Sequence, residues 1–185
     1  MPAVEVFQHL LISQRGALPV SPKVLIIGLG NPILGDDGVG WNIAQVISRR
    51  LNADYRVEID CLAVGGLRLM ERMLGFKHVI LLDSIETGNV PYGTVRSFSL
   101  DDLENPSLGH SGSAHDTSLV TALQTAREMG AEVPEQIDIV AVEIPSALEF
   151  SQHLSPDVAA AVEVAAQQVM DLLDWQTDLV KLETN

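Results

Sequence analysis

The order of hydrophobic and polar positions along the chain predicts strands that alternate with helices. Two continuous aliphatic runs, 23–28 (KVLIIG) and 78–85 (HVILLDSI), are typical of strands that are covered on both faces. Segments 55–62 (YRVEIDCL) and 137–144 (IDIVAVEI) are predicted as further strands. The alternating segment 93–100, which follows a proline-glycine turn, is predicted as a half-exposed edge strand.

Helices are predicted between most of these strands. Asp36 or Asp37 opens a helix whose apolar residues recur at three- and four-residue steps as far as Leu51. Three more helices are predicted: 67–74, one capped by Asp116-Thr117-Ser118 and ending at Met129, and a last one with Ser155 at the cap and Pro156 at its first position. Residues 101–114 are rich in turn formers and are predicted as a long loop. The alternation predicts an α/β fold, a three-layer α/β/α sandwich around a mostly parallel, twisted sheet.

Length, charge and cysteine usage narrow the class of protein. The chain of 185 residues is 46% hydrophobic, and we interpret 1–21 as an N-terminal extension and 22–185 as a single domain. No apolar run reaches the roughly 18 residues that a membrane-spanning helix needs, and the N-terminus lacks the cationic leader of a signal peptide. The lone cysteine, Cys61, fits a reducing cytoplasm. A net charge of −14 argues against a nucleic-acid partner.

The glycine-rich segment 28–37, GLGNPILGDD, does not match a nucleotide-binding loop. A dinucleotide fingerprint would need a third glycine where Ile33 stands. Asp36 and Asp37 would also occupy the helix N-terminus that a pyrophosphate requires. Both the spacing and the charge therefore point away from a phosphate ligand.

Chemically active side chains are predicted to meet at the carboxyl edge of the sheet. Ligands of such sheets bind beyond the carboxyl ends of the strands. The Asp pair follows the first strand, Asp83 ends the third, and His115 lies in a loop before the next helix. Carboxylates and an imidazole from separate loops make a site for a divalent metal with open positions. The pattern is equally compatible with a resident metal and with one that a partner supplies.

Segment 24–40, VLIIGLGNPILGDDGVG, is similar to the N-terminal signature of the hydrogenase maturation endopeptidases, roughly G-x-G-N-x-L-x-x-D-[DE]-x-x-G. Further similar motifs follow in the same order, namely EIDCLAVGG, ILLDSI, SAHDTSL and IPSALEFSQHLSPDV. The resemblance implies a phosphorylase/hydrolase-like α/β/α sandwich. It also implies an aspartyl-type endopeptidase that removes the C-terminal extension of a [NiFe] hydrogenase large-subunit precursor after the metal centre has been inserted.

The same resemblance assigns roles to individual residues. Asp37, Asp83 and His115 match the family's metal-contacting residues, and are expected to be both the metal-binding and the catalytic residues. The resemblance implies that they contact the nickel of the substrate, which is not held permanently. Asp36 is then interpreted as a helix cap or a supporting group. The chain departs from the family pattern near the end of its last strand, where Glu143 stands one place earlier than usual. The oligomeric state, the hydrogenase processed and the nucleophile or base stay open.

Three other functions compete with this interpretation. A non-catalytic nickel-binding maturation chaperone could use the same three side chains. A cysteine peptidase could pair Cys61 with His115 for acyl transfer. Peptidyl-tRNA hydrolases also begin with GLGNP, but the position of their catalytic histidine is taken here by Trp41, and the chain is strongly acidic.

Overall fold

The computed structural model describes residues 24–51, 56–103, 114–146 and 150–183, and within them the side chains of 103, 114–118 and 174–183 are not described. The elements in chain order are β1 (Val24–Leu29), a 3-10 helix (Gly35–Gly38), α1 (Val39–Leu51), β2 (Val57–Leu62), α2 (Gly66–Met73), β3 (His78–Ile85), β4 (Val95–Ser99), α3 (Leu100–Leu103), α4 (Ala114–Glu128), β5 (Gln136–Glu143) and α5 (Pro156–Glu183).

The strands form one five-stranded sheet in the order β2-β1-β3-β5-β4. All neighbours are parallel except β4, which runs antiparallel to β5 and is an edge strand, as its alternating sequence predicted. In the centre, Gly28 of β1 is in register with Cys61 of β2 and Leu82 of β3. Because β2 and β3 lie on opposite sides of β1, the chain switches direction there, and a crevice opens between the carboxyl ends of β1 and β3.

Helices cover both faces of this sheet. Ile26 and Ile80 belong to a core shared with α1 and α5, whereas their neighbours Ile27 and Leu81 belong to a core shared with α2 and α4. All four side chains are at most 1% exposed, which explains why the central strands are apolar at every position instead of alternating. The predicted three-layer α/β/α sandwich is confirmed.

Two glycines allow α1 to begin in direct contact with the sheet. A Cβ atom built on Gly40 would lie 2.3 Å from the carbonyl oxygen of Leu82 and 2.5 Å from that of Leu29. A Cβ atom on Gly28 would lie 2.5 Å from the carbonyl oxygen of Gly40. No side chain fits at either position, so the spacing of these glycines in the sequence fixes the start of α1 against β1 and β3.

The predicted long loop 101–114 is wrong at its start, because Leu100–Leu103 forms a helical turn. The helical turn is started by a capping box, which was not recognised because its residues are also typical of turns. The Ser99 N–H donates to Asp102 Oδ2 at 3.0 Å, and the Asp101 N–H donates to Ser99 Oγ at 3.3 Å. Residues 104–113 of that segment lie outside the described residues.

Two predicted helix starts also differ from the structure. Helix α4 begins at Ala114, so Asp116 lies in its first turn and not at its cap, a position that acidic residues also favour. Asp36 and Asp37 lie in the 3-10 helix that precedes α1, and no side chain caps that 3-10 helix at Leu34.

The predicted extension 1–21 lies outside the described residues, and the division of the chain into an extension and one domain stays a prediction. Helix α5 extends beyond the predicted segment to Glu183. Within the described ranges, no helix combines the length and the apolar character that crossing a membrane would require.

Candidate active site

Asp37 lies at the end of the loop that follows β1, where a hydrogen bond joins it to the start of the loop. The Asn31 N–H donates a 2.6 Å hydrogen bond to Asp37 Oδ2, which brings the two ends of the loop together. Gly30 is in the left-handed region at φ +106°, and a Cβ atom there would lie only 1.8 Å from the carbonyl oxygen of Asp37. The glycine therefore makes room for the residue that the sequence singled out, and the asparagine orients its carboxylate.

Asp83 lies near the carboxyl end of β3, and Ser84 connects it with Asp37. The Ser84 N–H donates to Asp83 Oδ1 at 2.8 Å, while its hydroxyl donates to Asp37 Oδ1 over a longer distance of 3.4 Å. Both carboxylates are partly buried. The structure thus brings together two of the three predicted site residues at the crevice between β1 and β3. Ser84 was missed from the sequence, although its place directly after the strand-end aspartate was a usable signal.

Asp36, the other member of the pair, supports a distant part of the chain. Its Oδ1 accepts a 2.6 Å hydrogen bond from the N–H of Ser155, the residue that precedes α5. A negative charge is favourable near the N-terminus of a helix. The interpretation of Asp36 as a helix cap or supporting group is right in kind, but the helix is α5 and not the one that follows it in sequence. Adjacent aspartates therefore have separate tasks.

A second loop holds the Asp loop in place. The Gly35 N–H donates to the carbonyl oxygen of Ser151 at 2.8 Å, and the Ser151 N–H donates to that of Ile33 at 3.1 Å. Leu34 and Ser151 thereby form a short parallel bridge outside the main sheet. This bridge fixes the backbone directly before the Asp pair, and the Asp36–Ser155 bond fixes the first side chain of the pair.

His115 is the second residue of α4, and its side chain lies outside the part of the structure that is described. Its membership of the site is therefore untested and stays a prediction. Among the described side chains, no three His, Cys, Asp or Glu groups are arranged to hold a metal ion. Asp37 and Asp83 alone would offer an incomplete ligand set.

Glu143 has a structural task at the same edge of the sheet. It is fully buried, and its Oε1 accepts the N–H groups of Thr87 and Gly88, each at 2.7 Å. Its Oε2 accepts the Thr87 hydroxyl at 2.8 Å. These bonds order the connection between β3 and β4. The departure from the family pattern at this strand end therefore places a loop-ordering carboxylate there, which sequence reasoning did not identify.

The environments of Cys61 and Trp41 do not favour the rival functions. Burial raises the pKa of the Cys61 thiol, and the neighbouring charge of Asp60 raises it further, so the nucleophilic thiolate is disfavoured at neutral pH. Trp41 donates its indole N–H to the carbonyl oxygen of Leu62 at 3.4 Å and offers no base. Neither the cysteine-peptidase nor the peptidyl-tRNA hydrolase interpretation gains support.

The fold and the paired aspartates define an α/β protein with its polar site at a topological switch point. A family model described as hydrogenase maturation protease matches residues 41–172. The chain belongs to the hydrogenase maturation protease family, and it is accordingly a peptidase. The matched segment begins just after the Asp pair and includes Asp83 and His115.

Individual relatives agree with this assignment. The chain is 32% identical over 152 residues to the hydrogenase 2 maturation protease of Escherichia coli K12, covering 82% of this chain and 90% of that protein. It is 30% identical to a putative hydrogenase maturation protease of Methanocaldococcus jannaschii, covering 80% and 94% of the two chains. The solved structure of the hydrogenase maturating endopeptidase HybD from E. coli superposes with a TM-score of 0.67 at 31% identity, covering 83% of this chain and 93% of that one.

Proposed function

We propose that this peptidase removes the C-terminal extension of a nickel-loaded [NiFe] hydrogenase large-subunit precursor, and that Asp37, Asp83 and His115 contact the nickel and act in the cleavage. The observation that carries this assignment is the connection of Asp37 to Asp83 through Ser84 at the switch-point crevice. Its further support is the family membership, since similar proteins carry names of hydrogenase maturation proteases.

The chemistry of the three side chains suits a metal that arrives with the substrate. Carboxylate oxygens and imidazole nitrogen are ligands that Ni²⁺ accepts, and no cysteine thiolate is among them to hold a metal permanently. Contacts from Asp37 and Asp83 would orient the precursor with its metal centre against the crevice. A metal ion polarises a carbonyl group or a bound water, and a nearby carboxylate is a suitable proton acceptor.

Composition supports the proposed compartment and the proposed partner. A chain with a single cysteine needs no oxidising environment, which is consistent with action in the cytoplasm. The net charge of −14 disfavours a nucleic acid as partner and is compatible with a metal-bearing protein.

Cleavage of purified precursor tests the proposal. The chain is incubated with nickel-loaded and nickel-free large-subunit precursor, and the C-terminus of each product is measured by intact mass spectrometry. We expect shortening of the nickel-loaded form alone, with no activation of the nickel-free form by added zinc. Equal cleavage of both forms would show that the metal is not recognised. Binding of the loaded form without cleavage would favour a non-catalytic maturation chaperone.

A further inference from the structure

Large apolar side chains are exposed in a pattern that follows the sheet. Six of them are exposed among the described residues: Ile33, Leu67, Tyr92, Met129, Phe150 and Val164. Four of them follow the four parallel strands: Ile33 follows β1, Leu67 follows β2, Tyr92 follows β3 and Phe150 follows β5. Among the described residues, each parallel strand is therefore followed by one exposed large apolar side chain, on the edge that carries Asp37 and Asp83.

Ile33 and Phe150 are neighbours within this group, and we refer to them as the apolar pair. The Ser151 N–H donates to the carbonyl oxygen of Ile33, and Leu34 and Ser151 form the parallel bridge. Ile33 is 48% exposed and Phe150 is 89% exposed. A phenylalanine in that state gains nothing from packing in the isolated protein, so its exposed surface is available to a ligand.

The apolar pair is fixed next to the predicted cleavage centre. Ile33 lies in the same short loop as Asp37, and the Gly35–Ser151 hydrogen bond joins that loop to the segment that carries Phe150. The Asp36–Ser155 bond adds a second connection between the two segments. The apolar pair therefore lies partly on the loop that carries Asp37 and partly on a segment that is hydrogen-bonded to that loop.

We propose that Ile33 and Phe150 are substrate-contact residues that bind an apolar stretch of the precursor beside the scissile bond. This rests on the proposed function, because only a protein substrate at Asp37 brings such a stretch to this edge. An apolar occupant fits the two side chains. Because backbone hydrogen bonds already hold Ile33 and Ser151 in place, little conformational entropy is lost at these positions when the substrate binds.

The contact predicts a change in substrate affinity without a change in chemistry. Phe150→Ser and Ile33→Ser are compared with wild type in cleavage of nickel-loaded precursor, with kcat and KM determined separately. We expect KM to rise about ten-fold for Phe150→Ser with kcat little changed, since the lost contact serves binding and not the reacting bond. The matched control is Met129→Ser, because Met129 is 82% exposed but lies just after α4, away from the carboxyl edges of the strands. It should leave both constants unchanged.

The outcomes separate this proposal from the function on which it rests. If wild type cleaves the precursor and Phe150→Ser matches it in KM, the substrate-contact role is refuted while the peptidase assignment stands. If wild type cleaves neither form of precursor, the proposed function fails and the contact role fails with it. Analytical ultracentrifugation of wild type and Phe150→Ser without substrate tests whether the apolar pair instead binds a second copy of this chain. A wild-type dimer that Phe150→Ser converts to a monomer would assign the apolar pair to self-association and overturn the proposal.

Discussion

The polar side chains at the two edges of the parallel sheet differ in their exposure and in their hydrogen-bond partners. At the amino edge, His78 Nε2 and Gln136 Nε2 each lie 2.7 Å from Asp138 Oδ2. His78 is 4% exposed and Asp138 is 9% exposed. At the carboxyl edge, Asp37 and Asp83 are partly exposed, and each accepts a hydrogen bond from a backbone N–H group.

The difference separates a structural polar cluster from a site. At the amino edge, His78 and Asp138 are buried and satisfy each other, so a ligand has no access to them. At the carboxyl edge, the loop position of Asp37 and the strand-end position of Asp83 leave part of each carboxylate accessible, whereas Glu143 on the same edge is fully buried and accepts structural hydrogen bonds. An ionisable pair is therefore weak evidence for function by itself, and the edge on which it lies adds the information that matters.

The largest expected effect is on catalysis at the carboxyl edge. Asp37→Asn and Asp83→Asn should each lower precursor cleavage by about 100-fold or more, because an amide is a poor substitute for a charged metal ligand and proton acceptor. Each change keeps one oxygen that can accept the backbone hydrogen bond, from the Asn31 N–H at position 37 and from the Ser84 N–H at position 83, so the fold should persist. The measurement is the cleavage rate of purified variants whose circular dichroism matches wild type, with His115→Ala included to test the third residue.

The matched control for these variants is Asp138→Asn at the amino edge. It makes the same chemical change in a carboxylate that the comparison assigns to structure, and its folded molecules should cleave at the wild-type rate. Near-wild-type rates for two of the three site variants would end the assignment of the triad.

A second test changes the backbone of the Asp loop at the carboxyl edge by substituting a glycine. Gly30→Ala should inactivate the protein and destabilise it by about 1–3 kcal/mol beyond the strain of a positive φ, because the new methyl group meets the Asp37 carbonyl oxygen. Gly130→Ala is the control, since Gly130 also has a positive φ but has open space around it. Urea unfolding and cleavage are measured for both variants, and equal losses would contradict the clash.

At the amino edge the expected effect is on stability alone. Asp138→Ala removes the acceptor that His78 and Gln136 share, which should lower the free energy of unfolding by about 1–3 kcal/mol. The rate of precursor cleavage per folded molecule should not change. The two quantities are obtained from urea unfolding and from cleavage at a temperature where the variant is fully folded. A loss of cleavage in folded protein would mean that the two edges are coupled.

The smallest effect is expected at Cys61. Cys61→Ser should retain cleavage and lose at most about 1 kcal/mol of stability, because Cys61 is only partly buried and its hydroxyl replacement is only partly removed from water. Because burial and Asp60 raise the thiol pKa, alkylation of folded wild type by iodoacetamide at pH 7 should be slower than that of a free cysteine and should accelerate as the pH rises. An inactive but folded Cys61→Ser variant would reinstate the cysteine-peptidase alternative.

Local patterns allowed the sequence to predict most of the sheet. The run 78–85 coincides with β3, because a strand covered on both faces is apolar at nearly every position. Asp37 and Asp83 could be placed at one edge for the same reason, since strand direction determines where each strand ends. The assignment of His115 rests on the resemblance and on its position before a predicted helix, and it remains a prediction.

The features that sequence missed depend on partners far away in the chain. The helix that Asp36 supports could not be predicted, because its partner Ser155 is 119 residues away. Glu143 and Thr87 are likewise 56 residues apart. Short-range capping was also overlooked at Ser99, where polar residues that suit a turn suit a helix start equally well.

The bond between Asp36 and Ser155 has a consequence for the order in which the protein is made. The Asp loop is synthesised early, directly after the first strand, yet it is held by a residue that emerges from the ribosome 119 positions later. Contacts of such long sequence separation form late in folding, because a large loop must close first. A nascent chain therefore carries Asp37 without its final support until Ser155 has left the ribosome. Proteolytic competence should accordingly appear only after Ser155 has been synthesised.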